Sequence, residues 1–384
     1  MLTSRERFLA TARFQPVDRT FLIPAWAWQQ TVERWQREGL PVDVDWCDYF
    51  ETDTESGAPL AFHNGFGVPY LLPPFERKVI SHTEEYEVFQ DDTGAILKQF
   101  TNDPQRCMPE WLEYSMKDRK DWEQQIKPRL QAGTPGRSLA GAELEQWAAS
   151  VQERDAPLGI WADSFYGWPR SLMGVERMSY MLYDDPALIH EMVEYLTDYR
   201  IELLTPWLQK AQFDFAFIWE DMAGKGGPLC SPAQYREFML PQVKRVSALL
   251  HKYGVDIIVV DSDGNNDVLI PLWLEAGVNG LRPFEIAAGC DPEATRRLYG
   301  KDLIIQGGID KRALAADKEA IEREVLSKVP WLCLQGGFFP QVDHLVPPDV
   351  SLENYLHYAH FLRLVVEDPE RYLDEARKRG YWTD

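Results

Sequence analysis

The sequence is short of several features that would assign its class at once. No stretch of its 384 residues approaches the ~18–20 uninterrupted apolar positions that a membrane span requires. Its 25 glycines form neither a dinucleotide-binding fingerprint nor a phosphate-binding loop. Nothing in the sequence therefore favours a membrane protein or an open nucleotide-binding sheet.

Cationic charge is also scarce. The chain has 40 Lys and Arg against 61 Asp and Glu, which gives a formal net charge of −21. Such a protein repels phosphate backbones and anionic membranes unless a local basic patch offsets its charge, and the sequence has no such patch. We therefore expect a small-molecule substrate, and neither a nucleic acid nor a membrane as partner.

Cysteines are few, and their spacing does not pair them. The five of them lie at positions 47, 107, 230, 290 and 333, without a CxxC motif. This pattern is typical of free thiols in a reducing compartment. Residues 1–14 carry charges and lack the apolar stretch of a secretory signal. We therefore predict a cytoplasmic protein.

Apolar material is plentiful, and its arrangement predicts the fold class. Of the residues, 45% are hydrophobic, and 14 are Trp, which is enough for a large core. Apolar, β-rich runs occupy 20–25, 158–162, 214–219, 256–260, 280–284, 302–306 and 332–339. Segments with helical spacing, such as 232–253 and 318–329, separate most of these runs. Repeated strand-then-helix units predict an α/β fold with a parallel sheet, and their number favours a closed (β/α)8 TIM barrel.

One region does not follow the alternation. Residues 53–104 contain short alternating β-like pieces around a turn at Asp92, Thr93 and Gly94. We interpret 1–384 as a single domain in which 53–104 is a β-rich insertion. The insertion would serve as a lid or as an edge against a partner subunit in a homodimer.

The most informative segment is the end of the run at 256–260, because it stops on Asp261 and Asp263. A continuous apolar run reads as a parallel strand that is buried on both faces. α/β enzymes place their chemistry at the C-terminal ends of such strands. Other candidates follow other strands, and we expect all of them to converge on one end of the barrel. They are Glu220, Glu285, Asp310 and His344.

Five ordered motifs make the chain resemble the uroporphyrinogen decarboxylase superfamily. They are Asp18-Arg19, Phe165-Tyr166-Gly167-Trp168-Pro169, Trp219-Glu220-Asp221-Met222-Ala223-Gly224, Gln306-Gly307-Gly308-Ile309-Asp310 and His344-Leu345-Val346-Pro347-Pro348-Asp349. The resemblance extends from about Arg5 to Glu367. It implies a (β/α)8 barrel whose pocket opens at the strand C-termini.

The chain departs from the decarboxylase branch of that superfamily. Those enzymes carry Arg-Gln-Ala-Gly-Arg after the first strand, and its arginines hold the substrate carboxylates. Here residues 25–30 have indoles and amides instead. Without the planar guanidinium groups, an octa-acid has no cationic clamp, so uroporphyrinogen is not the expected substrate. Trp26 and Trp28 would offer stacking surface to a smaller ligand, or pack the barrel mouth.

The chain also departs from the corrinoid-linked methyltransferase branch. Those enzymes bind zinc through a His-x-Cys motif and a Cys near the last strand. The corresponding positions here are Asp261-Ser262-Asp263 and His344. Two carboxylates and an imidazole form a harder ligand set, which does not preserve a thiolate-rich zinc site but could hold a divalent Zn, Mn or Fe ion. The alternative is that the aspartates cap the next helix.

The remaining candidates follow from their types and positions. We predict Glu220, Asp263 and His344 as catalytic groups, with Glu220 pointing into the pocket and Asp221 turned to the helix side as a cap. The predicted substrate-binding residues are Trp26, Trp28, Tyr166, Trp168, Arg170, Arg282, Glu285 and Asp310. Arg170 and Arg282 are the candidates for a substrate carboxylate. Asp310 could instead open a helix.

Three function classes remain. The favoured one is a decarboxylase-like lyase that acts on a small organic acid and requires no cofactor. The second is a methyltransferase or O-demethylase linked to a corrinoid protein or folate, with a metal at Asp261, Asp263 and His344. The third is a non-catalytic small-molecule binding protein.

Overall fold

The computed structural model describes residues 2–23, 26–60, 69–101 and 108–383. Its strands are β1 Ser56–Gly57, β2 Lys78–His82, β3 Tyr86–Gln90, β4 Ile96–Phe100, β5 Glu110–Glu113, β6 Leu158–Trp161, β7 Phe215–Trp219, β8 Ala223–Gly224, β9 Gly227–Pro228, β10 Ile258–Asp261, β11 Gly280–Phe284, β12 Ile304–Ile309 and β13 Phe338–Val342. Cys107 lies outside the described residues.

Helices occupy most of the segments between the strands. The α-helices are α1 Ser4–Ala12, α2 Gln29–Arg37, α3 Trp46–Tyr49, α4 Arg119–Asp121, α5 Gly141–Ser150, α6 Gly167–Met173, α7 Val175–Asp184, α8 Pro186–Lys210, α9 Pro232–Gln234, α10 Leu240–Lys252, α11 Ile270–Glu275, α12 Pro292–Tyr299, α13 Lys311–Ala316, α14 Lys318–Leu326, α15 Val329–Gln335, α16 Leu352–Glu367 and α17 Pro369–Arg379. Short π-helical turns, Trp122–Ile126 and Tyr235–Met239, continue α4 and α9. In the described part of the chain, no helix is both long and apolar enough to cross a membrane.

The central sheet is parallel throughout. Its seven strands run in the order β1-β6-β7-β10-β11-β12-β13. Helices lie between its successive strands in sequence from β6 onward. The α/β class predicted from the alternating pattern is therefore confirmed.

Side chains on one face of this sheet form an inner cluster. Its members are Phe8, Ala12, Phe21, Ile23, Phe215, Phe217, Ile257, Val259, Ile304 and Phe339. The Phe8 ring lies 4.8 Å from the ring of Phe215 on β7 and 5.2 Å from that of Phe339 on β13. Because three strands separate β7 from β13, the sheet must curl around Phe8. The opposite face, which includes Ala216 and Ile218, packs in the larger core with the helices.

Two predicted strands differ from the structure. In the run at 332–339, the first four residues end helix α15, and β13 begins only at Phe338. Gly336 and Gly337 separate them with φ of +76° and +61°, conformations that end a helix and that glycine adopts easily. Of the run at 20–25, the structure describes 20–23, which form no ladder, whereas positions 24 and 25 lie outside the described residues. Just beyond, Ala27 makes an isolated parallel bridge with Val346.

A second, antiparallel sheet lies between β1 and β6 in the chain. Its order is β2-β3-β4-β5. The turn between β3 and β4 is held by Asp91, whose carboxylate accepts from the N–H groups of Thr93 and Ala95 at 3.0 and 2.9 Å. This sheet continues past position 104 to Glu113. Of the predicted insertion, 61–68 and 102–104 lie outside the described residues, and its role as a lid stays a prediction.

The Asp18-Arg19 motif belongs to a buried ionic network at the opposite end of the sheet from the strand C-termini. The buried carboxylate of Asp53 accepts from Arg7 and Arg19, each at 2.6 Å, and from the backbone N–H of Leu22 at 2.8 Å. A hydrogen bond from Arg7 lowers the pKa of Asp18 to about 2. These contacts join α1 to the segments before α2 and β1, so the motif has a structural role.

Candidate functional site

A cavity of about 210 Å³ opens where strands β7, β10, β11 and β13 end. We call it the strand-end cavity. Its lining residues are Trp26, Trp219, Asp221, Asp261, Asp263, Arg282, Pro283, Gln341, Val342, His344 and Leu345. Of the residues predicted from the sequence, Trp26, Asp261, Asp263, Arg282 and His344 meet here.

Strand alternation explains why the two aspartates after β10 share the cavity. Residues two apart on a strand point to the same face, so Asp261 and Asp263 point inward while Ser262 between them is buried outward. The Ser262 hydroxyl accepts from the N–H of Met222 at 3.1 Å and donates to Asn266 Oδ1 at 3.0 Å, and these two hydrogen bonds fix the turn. Gly264 follows with φ of +77°, and a Cβ there would lie 2.6 Å from the backbone of Ala223. Only glycine fits this turn.

Asp263 and His344 form a direct pair across the cavity. His344 Nε2 lies 3.1 Å from Asp263 Oδ2. This hydrogen bond raises the pKa of His344, although partial burial opposes the shift. Because Nε2 faces Asp263, Nδ1 is the ring nitrogen that can serve a substrate. The Trp28 ring lies 6.5 Å from the imidazole, at the exposed side of the pair.

Asp261 and Arg282 form a second, more buried pair. Arg282 Nε donates to Asp261 Oδ2 at 2.9 Å, and Nη2 lies 2.6 Å from the same oxygen. The guanidinium also lies 4.0 Å from the ring centre of Phe217 and 4.8 Å from that of Trp26. Burial raises the pKa of Asp261; Arg282 opposes this shift, and the neighbouring Asp263 adds to it. The cavity thus holds a fixed cation that is paired with a buried carboxyl group.

Arg170 and Asp221 form a third pair at the rim. Arg170 Nη1 donates to the Asp221 carbonyl at 2.6 Å and to its Oδ2 at 2.9 Å. Asp221 has φ of +40°, a left-handed conformation that is uncommon for a residue with a side chain. The two bonds from one guanidinium hold it there. Each aspartate that lines the cavity is therefore paired with a basic side chain.

The prediction that Glu220 points into the pocket is wrong. It is fully buried on the helix side of β7, on the same face as Ile218. Its Oε2 accepts from Ser164 Oγ at 2.9 Å and from the N–H groups of Tyr166 and Gly167 at 2.8 and 3.3 Å. Burial raises the pKa of Glu220, whereas these donors lower it. Glu220 thus holds the loop after β6, and Asp221, predicted as a helix cap, takes the inward position.

Four predicted substrate-binding residues are also engaged elsewhere. Tyr166 and Trp168 are fully buried beneath the loop after β6, so their predicted contact with substrate is wrong. Glu285 accepts from the N–H of Gly264 at 2.9 Å and from Lys311 Nζ at 3.1 Å. Asp310 caps α13, as its alternative reading predicts, by accepting from the Arg312 N–H at 2.9 Å.

Three residues of the site escaped the sequence reasoning. Trp219 and Gln341 line the cavity, and their positions near the C-terminal ends of β7 and β13 are the signal that could have indicated them. Glu55, just before β1, is half-buried; burial raises its pKa, and the charge of Arg282 opposes the shift. The short strand β1 gave no apolar run that would mark Glu55.

The residues do not fit the predicted three-ligand metal site. Within the described ranges, no group of three or more His, Cys, Asp and Glu side chains lies close enough together to hold a metal ion. Asp261 is instead held by Arg282. Asp263 and His344 remain as a pair of groups suited to proton transfer.

Comparison with known proteins identifies relatives of this sequence. Residues 158–364 match the family model described as "Uroporphyrinogen decarboxylase (URO-D)". A uroporphyrinogen decarboxylase of Pseudomonas fluorescens is 29% identical over 197 residues, which cover 50% of this chain and 52% of that protein. That of Photobacterium profundum is 27% identical over 186 residues, which cover 45% and 48%. The match thus spans about half the length of these relatives.

Among solved structures, a methyltransferase from Methanosarcina mazei has a similar fold. The TM-score is 0.58 at 13% sequence identity, over 95% of this chain and 99% of that one. At this identity the likeness concerns the fold alone.

Proposed function

The chain belongs to the uroporphyrinogen decarboxylase family, and on that premise we propose that it is a lyase that removes carbon dioxide from a small organic acid. The observation that carries the proposal is the Asp263–His344 pair, which shares one cavity with the Arg282–Asp261 pair. Decarboxylation requires a proton for the carbon that loses CO2, and a group that holds the substrate anion. Each pair offers one of these.

His344 is the proposed general acid. The bond between the substrate carbon and its carboxylate breaks, the electron pair stays on that carbon, and the imidazolium proton is transferred to it as CO2 leaves. The neutral imidazole then regains a proton from solvent. Asp263 favours the protonated imidazole through its hydrogen bond at Nε2, which raises the His344 pKa.

Arg282 is the proposed anchor for the substrate. Its position against the Phe217 and Trp26 rings fixes the guanidinium. Burial raises the pKa of Asp261 and so weakens its hold on the guanidinium, which lets a bound anion compete with Asp261 for Arg282. Trp26 and Trp219 add apolar walls near this cation, and an apolar surrounding favours loss of charge from a leaving carboxylate.

The size of the cavity supports a small substrate. Its volume of about 210 Å³ lies below the ~300–1,000 Å³ typical of sites for drug-sized ligands. A tetrapyrrole precursor with eight carboxylates would need more space and more cations than Arg282 and Arg170 offer.

The two alternatives have less support. Methyl transfer at a metal would need Asp261, Asp263 and His344 as ligands, and the ion pair with Arg282 competes for the first of them. A non-catalytic binding role would be favoured by a pocket filled with its own aromatic side chains. Trp26 and Trp219 line the cavity instead of filling it.

The finer details of fold and location are part of this proposal. A closed (β/α)8 barrel is supported by the bridge between Ala27 and Val346 and by Phe21, which packs in the inner cluster. The free thiols of Cys47, Cys230, Cys290 and Cys333 support a reducing compartment such as the cytoplasm.

Turnover in deuterated water tests the proposal. The purified chain is incubated with a panel of small mono- and dicarboxylic acids, and CO2 release and product deuterium are measured by mass spectrometry. We expect at least one acid to yield CO2 and a product with one deuterium on the carbon that carried the lost carboxyl group, at rates that His360→Ala, a change at an exposed histidine on α16, leaves unchanged. Methyl loss without CO2 would contradict the proposal.

A further inference from the structure

A second cavity adjoins the strand-end cavity. We call it the side cavity; its volume is about 190 Å³, and it is lined by Met108, Trp111, Tyr114, Arg170, Ser171, Val175 and Asp221. Asp221 lines both cavities, so the Arg170–Asp221 pair forms the boundary between them. The proposed mechanism does not use the side cavity.

The walls of the side cavity differ in character from those of the strand-end cavity. Met108 and Val175 are 56% and 41% exposed, although both are apolar. Trp111 and Tyr114 add two aromatic side chains. Exposed apolar groups that line one concave space are a common mark of a ligand subsite. The space therefore suits an apolar group of a ligand rather than a second charge.

The antiparallel sheet supplies one side of this cavity, and its attachment is fixed. Trp111 lies on β5, and the chain then continues to Met116, whose N–H donates to the Leu172 carbonyl at 3.0 Å. The Tyr114 ring covers Gly174, where a Cβ would lie 2.5 Å from the ring. Gly174 has φ of +83°, so both space and backbone favour glycine there. The sheet thus presents Trp111 and Tyr114 at a defined place beside α6 and α7.

We propose that the side cavity is a specificity subsite of the proposed lyase, and that the substrate is an organic acid with an apolar, aromatic substituent. The inference rests on the proposed function, since it assigns the acid end of the substrate to Arg282 and His344. The substituent passes the Arg170–Asp221 pair and packs against Trp111, Tyr114 and Val175. The antiparallel sheet then selects substrates.

A series of phenyl-substituted acids tests the subsite by binding alone. Isothermal titration of the full chain with benzoate, phenylacetate, 3-phenylpropanoate and 4-phenylbutanoate gives Kd for each. In the subsite account, affinity rises along the series, once the phenyl group reaches the side cavity. Val175→Ala removes two carbons from the cavity wall and should weaken binding of the longer acids about three- to tenfold.

Val79→Ala is the matched control. Val79 is 51% exposed on β2, at the far edge of the same antiparallel sheet from β5. Val79→Ala removes the same two carbons as Val175→Ala, but the Kd values of the four acids should stay as in the unaltered protein. Ser171→Phe, which fills the side cavity, should abolish the gain along the series.

Three results would overturn the subsite: equal affinity across the series, an equal loss in Val175→Ala and Val79→Ala, or no binding of any of the four acids. The measurement needs no turnover. If the binding series shows no subsite, the CO2-release assay can still support the lyase. If no acid releases CO2, the dependence of binding on chain length still stands.

Discussion

His344 Nε2 lies 3.1 Å from Asp263 Oδ2, although 81 positions separate the two residues in the chain. One follows β13 and the other follows β10, and β11 and β12 lie between these strands in the sheet. The curl of the sheet brings the two ends together. The pair is the centre of the proposed proton transfer, and its properties lead to the first prediction.

Asp263→Asn should shift the pH profile of turnover to more acidic pH. The hydrogen bond to Asp263 is the largest cause of the raised His344 pKa, so its loss returns that pKa toward the ordinary value of about 6.5. A general acid loses activity as the pH rises through its pKa. The pH above which kcat/KM falls should therefore be lower in Asp263→Asn than in the unaltered protein.

The Asp263–His344 pair should stabilise the protein most at acidic pH, whereas a carboxylate whose pKa is lowered by folding contributes most at higher pH. A group whose pKa is raised by folding stabilises the protein fully below its unfolded pKa, and this contribution is lost as the pH rises through the folded pKa. Denaturant midpoints measured from pH 5 to 9 should therefore differ most between Asp263→Asn and the unaltered protein at the acidic end. A difference that grows toward pH 9 would contradict the assignment.

Arg282→Ala should destabilise the protein by about 3–5 kcal/mol, because it leaves a buried carboxylate without its partner. The side chains of Arg282 and Asp261 are only 5% and 19% exposed. Asp261→Asn should cost less, because the asparagine oxygen can still accept the hydrogen bond from Arg282 Nε. The free energy of unfolding from urea titration measures both. Equal, small losses below about 1 kcal/mol would indicate an exposed pair instead.

Glu220 should behave as a structural residue. Glu220→Ala leaves the donors of the loop after β6 buried without an acceptor and should cost on the order of 3 kcal/mol, whereas Glu220→Gln keeps an acceptor oxygen and should cost less. Turnover per folded molecule should stay within about tenfold in Glu220→Gln. A well-folded Glu220→Gln without activity would return Glu220 to the catalytic groups.

Uroporphyrinogen should not be a substrate. Each charge-assisted hydrogen bond that is missing for its carboxylates forfeits about 1.5–3 kcal/mol. Residues 25–30 contain no arginine, and several missing bonds would lower kcat/KM by many orders of magnitude. The assay follows coproporphyrinogen by chromatography of the oxidised porphyrins. Its robust formation would contradict this prediction.

The sequence predicted the fold class and the position of the site better than the orientation of single residues. Apolar runs that end on polar residues located Asp261 and Asp263, because strand ends share one edge of a parallel sheet whatever the details of packing. The face of Glu220 was not predictable in the same way. Phe215, Ala216, Phe217 and Ile218 are apolar on both faces, so the period of two gives no sign of which face is inward.

Side-chain burial and the pairing of charged residues were also not predictable from the sequence. Tyr166 and Trp168 belong to a motif that borders the pocket in the family, but here their loop is fixed by Glu220 and both side chains turn into the core. The partners of Asp221 and Asp261 were also hidden, because Arg170 and Arg282 come from other elements of the fold. Such contacts depend on the curvature of the sheet, which composition and spacing do not specify.

The most direct test of the proton-transfer site is the turnover of His344→Ala, measured together with its melting temperature, on an acid that the unaltered protein decarboxylates. Removal of a general acid should lower kcat by about 10²–10⁴-fold, while the melting temperature stays close to that of His360→Ala. Full turnover in folded His344→Ala, or a loss of activity that only follows unfolding, would contradict the account.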